Sequence, residues 1–371
     1  RAKKKKNRNN NNKTIKMVLE LFVIILIVNY LLLHFPKILR AINGSNSKLK
    51  SSNSVLGKGK GCLHISHRGG SEEVPENTTV AFDHAINNCS TDMLEIDVWL
   101  TKDNLLVVLH DENLLNICNI DKLVGEFNYA DLPMTKDSES LTPSSDFLNR
   151  NEWKCYPKKF SSQKLITLEE LFQRYPDTLI SVDVKNPDSR LAVSKTVGLV
   201  RRFKRENKTM LCSFSNENID YLNEYNKNKN EPELVICIGK DKLLKILLAY
   251  FTGFLPWIHI EEHVLSFPMS YIFFSTYGRK FADKISKYFK LSKYQLKYIE
   301  DELVPNILVW LFSRKLLIRH LQKRGIRCFA WVCNNEKEMN ICKELELDGI
   351  MSDRPNLLRE YYIKNKIKPF K

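Results

Sequence analysis

No G-x-G-x-x-G follows the first strand-like run of this chain, and it contains no P-loop, so the common backbone cradles for nucleotide phosphates lack support. No internal repeat is visible, which argues against a solenoid or propeller of like units. The nine cysteines (62, 89, 118, 155, 212, 237, 328, 333, 342) are an odd number without a paired spacing. The only near-motif, Cys328-x4-Cys333, lacks the second pair or the histidines of a zinc site. Scattered thiols fit a reducing compartment better than a disulfide scaffold. Acids are missing from the first sixteen residues, RAKKKKNRNNNNKTIK, which carry six Lys and two Arg. That tail supplies +8 of the formal net charge of +15, leaving +7 over the other 355 residues. A charge held mostly in one short tail does not describe a nucleic-acid-reading domain, and no nucleic-acid partner is expected. What is present is ordinary: 43% hydrophobic and 27% charged residues over 371 positions. These values exclude wholesale disorder and fibrous sequences, and the length allows a sizeable core.

Residues 17–35, MVLELFVIILIVNYLLLHF, are almost continuously apolar. As a helix the run is about 28 Å long, close to a hydrocarbon core of roughly 30 Å. A secretory signal would be shorter and followed by a small-x-small cleavage site, which HFPKILRAINGS does not offer. The reading is a single-pass membrane anchor. Counting the basic tail places the N-terminus in the cytosol; starting at Met17 reverses this, leaving Glu20 before the core and Lys37 and Arg40 after it. The scattered thiols tip the expectation toward a catalytic domain facing the cytosol. The expected organisation is a basic tail (1–16), the anchor (17–35), a polar linker (36–60), a catalytic domain (61–360) and a basic tail (361–371).

Beyond the linker, short apolar runs alternate with amphipathic stretches. Strands are expected at 62–66, 92–100, 105–110, 178–184, 210–214, 233–238, 327–332 and 349–352. Helices are expected at 77–88, 167–175, 189–207 and 335–347. Eight β pieces alternating with helices point to an α/β fold, and the count favours a (β/α)8 barrel. Periodicity alone does not separate that barrel from an open doubly wound sheet.

The chemistry gathers at strand ends. In LEIDV (94–98) a period of two puts Glu95 and Asp97 on one face and Leu94, Ile96 and Val98 on the other. Two neighbouring carboxylates suit a hard cation such as Mg2+ or Ca2+, or equally a solvated face. His67-Arg68-Gly69-Gly70 ends the first strand, and the glycines would let backbone approach a ligand. His110-Asp111 ends another strand. His, Arg, Glu, Asp and a second His within 44 positions are the inventory of metal-assisted phosphoryl chemistry with an acid and a base.

HISHRGGSEEVPENTTVAFDHAI and DMLEIDVWLTKDNLLVVLHDENL resemble the signature blocks of the glycerophosphodiester phosphodiesterases, with HRG, PENT, E-x-D and HD in the family's order. The resemblance continues through SVDVK (181–185), FAWVCN (329–334) and DGIMSDRP (348–355). With the anchor it is most similar to the membrane-bound animal branch, which acts as lysophospholipase D. The resemblance implies a TIM barrel, a divalent cation (Mg2+ or Ca2+), and His67 and His110 as the catalytic acid/base pair. It implies Arg68, Lys185 and Trp331 as substrate-binding residues and Glu95 and Asp97 as metal ligands. The family's E-x-K reads Asp183-Val-Lys185 here, so the third ligand is Asp183, Glu170 of TLEEL, or His110 itself. The implied substrates are lysophosphatidylcholine, lysophosphatidylethanolamine and N-acyl forms, cleaved to lysophosphatidic acid and a head-group alcohol. The implied setting is an endoplasmic-reticulum or perinuclear membrane. Water-soluble deacylated phosphodiesters are the alternative substrates, and an inactive lipid-binding scaffold is a third reading. Finally, 243–274 is unusually apolar. It is read as an insertion that dips into lipid beside the active site, with a packed helix and loop or a second crossing as alternatives.

Overall fold

The computed structural model of the chain describes residues 24, 27–34, 56, 61–137, 140, 159–228 and 230–368. Nine strands are present among them. They are β1 (Leu63–Ser66), β2 (Met93–Leu100), β3 (Leu106–Val108), β4 (Leu179–Val184), β5 (Thr209–Cys212), β6 (Val235–Ile236), β7 (Val264–Pro268), β8 (Arg327–Trp331) and β9 (Gly349–Ser352). Eight are parallel and neighbour one another in the order β6-β5-β4-β2-β1-β9-β8-β7. A parallel bridge between Cys237 and Val264, and the Ile238 N–H donating to the Val264 carbonyl at 2.8 Å, join the two edges. The sheet therefore closes into the (β/α)8 barrel.

The expected eight strands are right in number, with one member exchanged. Leu106–Val108 pairs antiparallel with β2 and lies outside the barrel. Its place is taken by Val264–Pro268, which the sequence reading absorbed into the apolar stretch 243–274. That stretch is not one inserted unit. It comprises the helix Lys240–Thr252, a turn at Leu255–Trp257, the barrel strand β7 and the start of the helix Tyr271–Ser286. Strand and flanking helix are both apolar here, so hydrophobicity alone gives no boundary between them.

Side-chain alternation divides each barrel strand. Leu63, Ile65, Met93, Leu179, Met210, Val235, Val264, Phe329 and Met351 fill the interior toward the strands' N-terminal ends, together with Leu56. Leu94, Ile96, Val98, Ile180, Val182 and Val184 point outward and pack under helices such as Arg190–Arg202. The next inward positions along the strands are polar, so a dry floor supports a polar mouth.

Two boundaries move. The anchor expected over 17–35 lies largely outside the described residues. Its described part, 27–34, is helical and tied to the barrel: Leu32 is buried, Trp257 Nε1 donates to Asn29 Oδ1 at 2.9 Å, and His320 Nδ1 donates to the Leu33 carbonyl at 2.8 Å. Among the described residues no helix is long and apolar enough to cross a membrane. At the other end, the tail expected from 361 begins inside the last helix, Pro355–Lys364, where Tyr361 and Tyr362 are buried and the Tyr362 hydroxyl donates to the Leu63 carbonyl at 3.0 Å. Lysines around these tyrosines masked that apolar face in composition.

Candidate active site

The polar mouth opens on a cavity of about 340 Å³, whose lining includes His67, Arg68, Glu95, Asp97, His110, Asp183, Lys185 and Trp331. All eight residues singled out in the sequence converge there. Parallel pairing of β2 with β4 sets Asp97 beside Asp183. Lys185, two positions on, bridges them at 3.0 Å from Asp97 Oδ1 and 2.8 Å from Asp183 Oδ2. Glu170 is elsewhere. It closes a capping box with Thr167 and accepts from the Tyr129 hydroxyl, so its acid serves a helix start.

His67 lies in the 3-10 turn that follows β1. Its Nδ1 is 2.6 Å from Asp353 Oδ1, and its Nε2 is 3.8 Å from Glu95 Oε2. Burial alone would lower the pKa of this imidazole, but the charges of Asp353 and Glu95 outweigh burial and raise it. Asp353 is in turn held by Ser71 Oγ and, at 2.7 Å, by Asn334 Nδ2. His110 is oriented in the same manner, with Nδ1 2.7 Å from Asp111 Oδ1, while Trp99 Nε1 donates to its carbonyl at 2.8 Å.

The PENT motif, noticed in the sequence without a residue-level role, secures the first shell of the cavity. Glu76 pairs with Arg68 Nη1 at 3.2 Å. Asn77 Nδ2 donates to Asp97 Oδ2 at 3.2 Å, and Thr78 caps the helix Thr79–Asp83 by accepting from the Ala81 N–H. Asp353 likewise sits in the DGIMSDRP block without having been read as functional. The signal for both was there: buried acids within motifs need partners. The glycines of HRGG have a different purpose from the one expected. A Cβ at Gly69 would lie 2.8 Å from Ala81 Cβ, and one at Gly70, with φ +114°, 2.7 Å from Pro355 Cγ. They let this turn pack against two helices.

Electrostatically the mouth is over-supplied with acid. Burial, then the neighbouring charge of Asp97, pushes Glu95 up to about 7. Burial would raise Asp97 too, but Lys185, His110 and Arg68 hold it well below the usual carboxylate range. Asp183 Oδ1 is buried and makes no hydrogen bond. An orphaned carboxylate oxygen beside two further carboxylates is a donor set for a hard divalent cation, so Glu95, Asp97 and Asp183 fit the ion that the family implies.

The opposite wall of the cavity is aromatic and aliphatic: Phe214, Leu243, Phe273, Tyr277, Phe312 and Trp331. Trp331 meets Phe273 edge-on at 5.2 Å and Phe214 at 6.2 Å between ring centroids. Lys185 Nζ lies 5.4 Å from the Phe214 ring. The site therefore joins a half rich in histidine, carboxylate and basic side chains to a hydrophobic half.

The glycerophosphoryl diester phosphodiesterase family model matches residues 67–242 and 280–357. Lysophospholipase D GDPD1 of Homo sapiens is 31% identical over 91% of this chain and 93% of its own length. Lysophospholipase D GDPD3, also of Homo sapiens, is 31% identical over 80% of this chain and 83% of its own length. A crystal structure of a glycerophosphoryl diester phosphodiesterase from Parabacteroides distasonis superposes with a TM-score of 0.52 at 17% identity, covering 85% of this chain and 91% of that one, and supports the fold alone. With its catalytic motifs inside the matched residues and animal relatives aligned along most of its length, the chain belongs to the glycerophosphoryl diester phosphodiesterase family and is a phosphodiester hydrolase.

Proposed function

We propose that this hydrolase is a lysophospholipase D, releasing the head-group alcohol of lysoglycerophospholipids and leaving lysophosphatidic acid. The observation that carries the reading is the apolar wall facing the acid/base pair. Leu243, Phe273, Tyr277 and Phe312 adjoin Trp331 at the cavity, and a water-soluble glycerophosphodiester has nothing to set against them. Beyond the wall the side chains of Leu244, Leu248, Phe251, Phe254, Tyr277 and Trp310 are exposed. That collar supports a bilayer as the partner, with the acyl chain leaving the cavity toward it. The endoplasmic-reticulum or perinuclear membrane and the cytosolic orientation belong to the same proposal.

In this mechanism Arg68 and Lys185 grip the phosphodiester and screen its charge. Glu95, Asp97 and Asp183 would hold Mg2+ or Ca2+, which supplies charge neutralisation at the phosphoryl oxygens when bound, leaving the free ring nitrogen of His110 for the proton. His110, steadied by Asp111, takes the proton from the substrate's free glycerol hydroxyl. That oxygen bonds to phosphorus while the bond to the head-group oxygen breaks. His67, kept charged by Asp353, gives its proton to the departing alcohol. Water then opens the cyclic phosphate with the two histidines in exchanged roles. Trp331 flanks the glycerol.

Detergent-solubilised protein incubated with lysophosphatidylcholine should release choline and lysophosphatidic acid, and a chelator should abolish the release. Methylating the lysolipid's free hydroxyl should remove turnover. Undiminished turnover of the methylated substrate would eliminate the substrate-assisted route and leave water as the nucleophile.

A further inference from the structure

The segment between β1 and β2 carries a second constellation that the reaction does not use. The helix Thr79–Asp83 widens into a π-helical turn, His84–Asn88, closed by the Cys89 N–H donating to the His84 carbonyl at 3.2 Å. In a regular α-helix residues five apart point about 140° away from each other. The widened turn brings Cys89 back over His84, so that Sγ lies 3.4 Å from His84 Nε2. Glu73 Oε2 approaches the same nitrogen at 3.0 Å. All three ligand atoms lie within 4.8 Å of one another, and Cys89 is fully buried.

An imidazole nitrogen has one hydrogen or one lone pair, so Nε2 offers the thiol and the carboxylate at best one shared, three-centre contact. One ion at the point where sulfur, nitrogen and oxygen converge satisfies all three. The supporting contacts suit that arrangement. The Asn88 group placed against His84 Nδ1, at 3.3 Å, is the amide Nδ2; exchanging the amide's oxygen and nitrogen turns Oδ1 toward an Nδ1–H and leaves the Nε2 lone pair for a ligand bond. The Asn356 N–H fixes the Glu73 carboxylate, at 3.0 and 3.2 Å from its two oxygens. Thiolate plus carboxylate balances a charge of two, and mixed S/N/O ligation at four-coordinate geometry selects Zn2+ over Mg2+ or Ca2+.

We propose that Glu73, His84 and Cys89 form a Zn2+ site, separate from the hard-cation site of Glu95, Asp97 and Asp183, with water as the fourth ligand. Zinc there staples the turn after HRGG to the end of the following helix. Glu72, beside the ligand Glu73, bonds Asn334 Nδ2 at 2.9 Å and also pairs with Arg354. The staple thus steadies the segment that presents Arg68, Glu76 and Asn77.

Chelator-treated full-length protein in detergent, titrated with Co2+ as a spectroscopic substitute for zinc, tests the site. The expected result is a sulfur-to-cobalt charge-transfer band that saturates at one equivalent, disappears on adding Zn2+, survives in Asp97→Asn and is absent from Cys89→Ser. Glu73→Gln, which keeps the sulfur and the fold, should weaken binding roughly 10- to 100-fold. A wild-type protein without the band, a band that persists in Cys89→Ser, or unchanged affinity in Glu73→Gln would overturn the proposal.

Discussion

Asp353 never touches the cavity, yet its pairing with His67 Nδ1 at 2.6 Å sets both the ring's orientation and its charge. Asp353→Asn keeps the shape and removes that charge. Burial then dominates, and the His67 pKa should fall below its present raised value. On the pH–rate profile the limb belonging to His67 should move to lower pH, and turnover should drop by about 10²- to 10⁴-fold. A loss of turnover with an unmoved limb would mean that Asp353 only supports the fold. Glu95 gives a second pH effect of known sign. Pushed up to about 7 by burial and Asp97, it must lose its proton to hold a cation. Cation affinity should therefore decline by about tenfold per pH unit below 7, and be flat above it. Isothermal titration with Mg2+ across that range measures it. The polar residues that line the cavity were legible in sequence because each sits in a short motif at or near a strand end. Asp353 was not, since its partner lies far along the chain, and Glu76, only eight positions from Arg68, was passed over because it holds Arg68 from behind. Asp353 is 286 positions from His67.

Among elements, the strand exchange explains where sequence periodicity gave out. Leu106–Val108 has the apolar run of a barrel strand but pairs antiparallel, with the end of β2 on one side and Thr167 on the other. Val264–Pro268 is a barrel strand set between apolar segments, and the polar run Glu261-Glu262-His263 that marks its start is too short to stand out within 243–274. The same region changes how the lipid contact must be probed. Leu247 and Leu255 are buried against the barrel, and charges there would test folding. Leu248 and Phe251 on the same helix are 64% and 48% exposed. Leu248→Glu or Phe251→Glu should raise KM for vesicle-borne lysolipid by about tenfold or more while leaving glycerophosphocholine hydrolysis unchanged. Equal losses on the two substrates would contradict a lipid-facing collar. The turn after β1 makes a separate prediction. Gly70→Ala must hold a Cβ at φ +114° against Pro355 and should cost about 1–3 kcal/mol of stability, read as a lowered urea midpoint.

At the scale of the whole molecule, one end of a closed barrel carries two unlike halves of a binding site. The dry floor of Leu63, Met93, Phe329 and Met351 holds the polar positions above it at fixed height. The positive excess outside the N-terminal tail, +7, suits work beside anionic lipid. The barrel and its catalytic end were readable from strand–helix alternation and ordered motifs. The apolar wall was readable in part: Leu243 and Phe273 fall within the stretch 243–274 read as lying beside the active site, whereas Phe312 comes from a third helix and joins them only because β7 and β8 are neighbours. The central claim is that this wall makes the enzyme prefer a substrate that retains one acyl chain. It is tested by measuring kcat/KM for lysophosphatidylcholine and glycerophosphocholine side by side, in detergent with Mg2+ or Ca2+. The account predicts a clear preference for the lysolipid, which Tyr277→Asp and Phe273→Asp diminish. Equal or faster hydrolysis of glycerophosphocholine would contradict it.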